Sequence, residues 1–182
     1  MELNGKLLVA MPVLQDPNFD KTVILIVEHE QDSGTFGLVL NRPGNLGVQG
    51  FCEDLGVDWC GSSTAPLFIG GPVNPSVGWI LHGPMDGDIE SNEIIPGVHL
   101  SASEDVLRRV ASQDKLNRRL FSGYSGWAPG QLAMEIRAGA WLTSDAPEGI
   151  VFSTEADEAW NKTMMYMGID PFALVPGSLE VS

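Results

Sequence analysis

The stretch TVILIVEH (22–29) constrains this chain more than any other. It is β-branched and almost wholly apolar, and it is bounded by turn residues. Such a run reads as a strand buried on both faces, so it needs cover on each side. A second apolar run, LLVAMPVL (7–14), is too short to span a bilayer, carries an internal proline and lacks a small-residue cleavage signal. It reads as another buried strand, and a cytoplasmic protein without a leader is expected. With 182 residues and 43% hydrophobic content, one compact domain over residues 1–182 is the default.

The remaining segments alternate irregularly. TFGLVLN (35–41) pairs with 22–29 as a hairpin across the turn EQDSG. VQGFCEDLG (48–56) suggests a short helix. PLFIGGPV (66–73) and GWILHG (78–83) read as two strands joined by the turn NPS, and IIPGVHLS (94–101) as one extended segment. Ser101 and Glu104 are spaced as a capping box that opens a helix with Val106, Leu107, Val110 and Ala111 inward. RRLFSGY (118–124) returns as a strand. A helix follows through GQLAMEIRAG, with Leu132, Ala133 and Ile136 inward and Gly139 as its cap. AWLTS and GIVFS read as strands. A last helix is expected from about Ser153 or Thr154, with Trp160, Met164 and Met167 as its core stripe and Gly168 as its stop. About eight strands with three or four flanking helices in this irregular order give α+β, not a regular βαβ alternation.

Composition narrows the partners. Twenty-four acidic residues face ten basic ones, a net charge of −14. Such a surface repels phosphate backbones and anionic membranes, so nucleic acid and membrane partners are not expected. Cys52 and Cys60 form no metal-binding spacing and are expected as free thiols. The basic run 108–119 holds Arg108, Arg109, Lys115, Arg118 and Arg119 without an interleaved aromatic before Phe121. It reads as a solvated helix end with cations at the negative pole.

No catalytic set is complete. GYSGW (123–127) departs from the G-x-S-x-G elbow, since its second glycine comes one residue early. DGDIE (86–90) lacks the glycine and the terminal acid of a calcium loop. GGPV (70–73) matches no phosphate loop, and Pro72 removes a backbone donor. No metal ligand set, cofactor or catalytic residue is therefore assigned. GYSGWAPGQL (123–132) reads as a strand-to-helix corner. Gly123 and Gly126 would supply unusual backbone angles, Pro129 the helix start, Trp127 the anchor, and Ser125 only a small side chain.

Four blocks together, GKLLVAMPVLQDPNFDKTVILIVEH, GLVLNRP, GGPV with GWILH, and GYSGWAPGQLAMEIRAGAWL, resemble the YqgE/AlgH family of bacterial proteins. The likeness runs from about Gly5 to Pro171. It implies a compact α+β domain with a sheet-rich, barrel-like core, a cytoplasmic location and no established catalytic residues. One branch carries a transcriptional-regulator label. Thr35 and Ser125 stand where alanine is common in the family motifs.

The expectation is a non-enzymatic binding or regulatory module acting through an unknown protein or small molecule, with its oligomeric state open. His29, Asn41, Arg42, His82, Trp127 and Gln131 are the candidates to line a groove. The same residues also suit turns and caps. Two alternatives stand beside this reading. One is an unrecognised hydrolase with His29 or His82 as base, and the other is a DNA-binding regulator.

Overall fold

The computed structural model describes residues 1–174. Among them are ten strands, five α-helices and one 3-10 turn, so the class is α+β with more elements than the sequence suggests. The chain divides into two compact units. The first comprises residues 1–41 with 126–182, and the second residues 42–125.

In the first unit, β1 (Leu7–Ala10), β2 (Val23–Glu30), β3 (Gly34–Val39) and β10 (Trp141–Ser144) lie in the order β10-β1-β2-β3, every pair antiparallel. Val23, Ile24, Leu25 and Ile26 are all fully buried, as a two-faced strand requires. One face is built from Leu8, Ile24, Ile26 and Val39, packed with Trp127, Trp141 and Leu132 of α3 (Gln131–Arg137). α5 (Ala159–Tyr166) lies against β1 and β2 and buries Trp160 and Met164. α4 (Glu148–Phe152) precedes it, and a 3-10 turn (Pro171–Leu174) follows.

The second unit holds β4 (Pro43–Gly47), β5 (Pro66–Ile69), β6 (Val73–His82), β7 (Asn92–Ile95), β8 (Val98–Ser101) and most of β9 (Arg118–Trp127). Their order is β4-β5-β9-β6-β8-β7, with β5 and β9 parallel and the other pairs antiparallel. α1 (Val48–Asp54) and α2 (Glu104–Ala111) cover one face through Val48, Cys52, Val106, Leu107 and Val110, against Leu67, Ile80 and Leu120. The cores are sheet-rich, but the strand orders are open paths, so the barrel-like core implied by the resemblance gives way to open sheets.

Several local expectations change. IIPGVHLS is a hairpin, β7 and β8, because Pro96-Gly97 turns the chain with Gly97 at φ 80°. NPS lies inside β6, where the register slips between Val73 and Gly78. GIVFS is helical in α4. The capping box does not form. Ser101 stays in β8, its hydroxyl donating to Glu90 O and accepting from Ser103 N, while Glu104 turns to Arg108. The last helix starts later, at Ala159. The expected corner is also shifted, since β9 continues to Trp127 and Gly130, not Pro129, precedes α3. Of its two early glycines only Gly123 has a positive φ, 71°. A Cβ there would lie 2.6 Å from Gly71 O, and a Cβ on Gly71 would lie 2.2 Å from the Tyr124 carbonyl carbon. This close backbone approach explains the glycine pair.

Candidate functional site

A cleft lies in the first unit, where the chain leaves β1 and returns to β2. After Ala10 it makes two tight turns, Leu14 N donating to Met11 O and Phe19 N to Asp16 O. Thr22 then bonds Phe19 O through its backbone N–H and its hydroxyl. Between them Lys21 is held at φ 51°, left-handed for a residue with a Cβ. Buried Asn41, just past the end of β3, holds that conformation. Its amide donates to Lys21 O at 2.9 Å and its carbonyl accepts from Val23 N at 2.9 Å.

α5 supplies the opposite wall. The Trp160 indole N–H donates to Ala10 O at 2.8 Å, which fixes the ring plane. The Lys21 ammonium lies 5.7 Å from the centroid of that ring, within reach of a cation–π contact. Among the described residues no carboxylate pairs with Lys21. By contrast, Lys6 pairs with Asp145 and Lys162 with Glu158. The cleft encloses about 400 Å³ and is lined by Met11, Pro12, Asp20, Lys21, Trp160 and Phe172 among others, so that a carboxylate and an ammonium both border it. That volume lies within the ordinary range for a small-molecule site.

The residues expected to line a groove scatter, but each has a readable place. Asn41 is the support beneath Lys21. His29 Nδ1 meets the Thr35 hydroxyl at 2.6 Å, and its backbone N–H donates to Asn4 Oδ1. Trp127 and Gln131 belong to a network around Glu135. One Glu135 oxygen accepts from the Trp127 and Trp141 indoles at 3.0 and 2.8 Å, and the other accepts from Gln131. Gln131 also accepts from Ala128 N, in the turn that precedes α3. Phe19 stacks on Trp127 and meets Trp141 edge-on.

In the second unit, Arg42 leads into β4, and its carbonyl accepts from Ile69 N. His82 ends β6, only 1% exposed and stacked on His99 with centroids 5.5 Å apart. His82 Nδ1 meets Gly83 O at 2.7 Å, while Nε2 is buried without a hydrogen-bond partner among the described residues. Burial pushes this imidazole below its usual range, against the opposing effect of the Gly83 bond. Ser125 is fully buried and donates to Gly70 O. Cys52 is buried and Cys60 exposed, both free thiols. A second cleft of about 250 Å³ lies beside Phe51, Trp79 and Leu107. Among the described residues no group of three His, Cys, Asp or Glu side chains is placed to hold a metal, and no helix is long and apolar enough to cross a membrane.

Lys21 and Trp160 are not legible as a site in the sequence. Trp160 reads as core, which it also is, and nothing local shows that Lys21 adopts a left-handed conformation. The one available signal is a lone cation directly before a buried strand.

The sequence profile of the AlgH-like family matches residues 7–172. The chain belongs to that family. A UPF0301 protein of Ruegeria pomeroyi is 39% identical over 178 residues, covering 96% of each chain, and one of Myxococcus xanthus is 39% identical over 94% of each. The solution structure of the AlgH protein of Pseudomonas aeruginosa is similar throughout. Its TM-score is 0.76 at 31% identity, covering 99% of this chain and 96% of that one. The relatives' names state no reaction and no ligand, so the chemistry of this AlgH-like chain has to come from its geometry.

Proposed function

We propose that this AlgH-like chain is a cytoplasmic, non-enzymatic binding module that works as one domain and takes a small molecule in the Lys21–Trp160 cleft. The supporting observation is the cleft itself. A fixed indole, the Lys21 ammonium and the Asp20 carboxylate line a space of about 400 Å³, and a buried amide holds the strained backbone that places the ammonium. Strain of this kind costs on the order of 1–3 kcal/mol and persists where surrounding contacts over-determine it.

The rival readings find less support. A hydrolase would need a reachable nucleophile and base. Ser125 is sealed, His82 is buried, and His29 is engaged with Thr35. A DNA-binding regulator would need free cations. Arg108 is spent on Glu104 and Gly56 O, Arg109 donates to Asp88 O, and Arg118 lies over the Trp59 ring at 4.3 Å.

The test is native mass spectrometry of protein purified from its own lysate. A retained small molecule lost in Trp160→Ala supports the reading. Turnover of ester, phosphoester or nucleotide substrates that disappears on changing His29 or His82 would refute it.

A further inference from the structure

We propose that the second unit holds a separate site for a small organic cation, a molecule with one ammonium group on an apolar body, in the two joined clefts on either side of Trp79.

The floor is apolar. The cleft of about 250 Å³ beside Phe51 and Trp79 is closed below by Leu107, Leu120 and Phe121, all buried. α1 contributes Phe51 and Leu55, and the Leu55 side chain is 42% exposed at the edge. A second cleft of about 370 Å³ lies beyond Trp79, and Trp79, Ala102 and Ser103 line both. Together they have the size and the apolar wall of a small-molecule site.

One buried hydroxyl builds the walls. Ser101 ends β8, and its side chain donates to Glu90 O at 2.6 Å and accepts from Ser103 N at 3.1 Å. It thereby ties the segment before β7 to the start of α2, and each brings a carboxylate to the space. Glu90 borders the cleft beyond Trp79, and Glu104 borders the cleft beside Phe51. Among the described residues no lysine or arginine lines either one.

The cations nearby enter the balance as well. Arg108 and Arg109 line a neighbouring cleft together with Asp88, Glu90 and Asp105. Arg108 bonds the Glu104 carboxylate at 2.7 Å and Gly56 O, and Arg109 donates to Asp88 O. Four carboxylates therefore face two guanidinium groups around the start of α2. The positive end of that helix adds about half a charge, so the balance stays negative. Such a field attracts a monocation and repels an anion. The exposed Glu90 carboxylate has no partner among the described residues and is the seat for the ammonium, while the apolar body fills the space beside Phe51, Trp79 and Leu107.

The experiment is a two-dimensional NMR titration of the full chain with three probes of one shape: 1-naphthylmethylammonium, 1-naphthamide and 1-naphthoate. The Ala102, Ser103 and Leu107 amide resonances report this site. The Lys21 amide and the Trp160 indole report the first-unit cleft in the same spectra, so the two readings stand or fall separately. The ammonium is expected to bind here about fivefold more tightly than the amide, the scale of one exposed ion pair, with naphthoate the weakest. Glu90→Gln should cut that preference to about twofold or less and leave the affinity of the amide unchanged.

Equal affinities for ammonium and amide, tighter binding of naphthoate, or an undiminished preference in Glu90→Gln would each overturn the cation assignment. Failure of all three probes to shift the Ala102, Ser103 and Leu107 resonances at millimolar concentration would overturn the site itself.

Discussion

Asn41 shows how one side chain can carry both a fold and a site. Both of its amide atoms are committed to backbone groups, Val23 N–H and Lys21 C=O. Asn41→Ala would leave a buried donor without a partner and release the left-handed turn. Each such group costs about 1–3 kcal/mol. Urea melts are therefore expected to show a loss of about 3 kcal/mol, and a loss under about 1 kcal/mol would mean that the turn holds itself. Two further residues form a contrast. Ser125 is buried, but it loses only one neutral hydrogen bond as alanine, at about 1 kcal/mol. Gly71→Ala drives a methyl group into the Tyr124 carbonyl at 2.2 Å with φ at 156°, and is expected to cost about 3 kcal/mol or more. Equal losses for the two would show that the strand contact at Gly71 yields easily. At this scale the sequence misleads in one place. Gly123 and Gly126 both read as special glycines, but the demand falls on Gly123 and on Gly71, whose backbones meet although they lie far apart in the chain.

At the scale of elements, α3 is tied to its own unit by a carboxylate. Glu135 collects two indole N–H groups and one amide N–H on its two oxygens. Hydrogen bonds to a charged acceptor contribute about 1.5–3 kcal/mol. Glu135→Gln turns one oxygen into a donor that faces other donors. A loss of about 2 kcal/mol is expected in thermal or urea melts, with a changed Trp fluorescence maximum from Trp127 and Trp141. A variant as stable as the parent would show the network to be incidental. The inward faces of α2 and α3, the cap at Gly139 and the two-faced character of β2 were all legible, because each follows from a local period. The boundaries that failed were set by tertiary pairing. β6 runs through NPS because β9 lies beside it, and GIVFS becomes helical although its β-branched content suggests a strand.

For the whole molecule, the buried histidine gives stability a pH dependence of known sign. The His82 imidazole titrates below 6.5 in the folded protein, because burial disfavours its charge and His99 stands beside it. Across the strand pairs it faces His99 of β8 and Arg118 of β9, with Glu93 of β7 beyond His99. Above pH 6.5 the imidazole is neutral in both the folded and unfolded states, so its contribution to stability is fully present. As pH falls through 6.5 the unfolded chain takes the proton first, and stability is lost until the folded protein takes it too. In that window each unit of pH removes up to about 1.4 kcal/mol. Urea melts between pH 5 and 7.5 should show a steeper fall for the parent than for His82→Gln, and identical slopes would contradict the assignment. The same melts bear on the proposal of one working domain, for which fluorescence and circular dichroism transitions should coincide. The candidate site was legible only in part for a related physical reason. Asn41 stood out as a polar residue at a strand end. The cleft it supports joins a turn before β2 to a helix near the other end of the chain, and no local pattern encodes that meeting.

The central claim is that ligands enter the first unit between Lys21 and Trp160. The most direct test is a two-dimensional amide and indole NMR titration of the full chain with 1-naphthoate. The account predicts saturable shifts centred on Met11, Lys21, the Trp160 indole and Asn161, all abolished in Trp160→Ala. Shifts centred instead on Phe51, Trp79 and Leu107 in the second unit, or shifts that persist in Trp160→Ala, would contradict it.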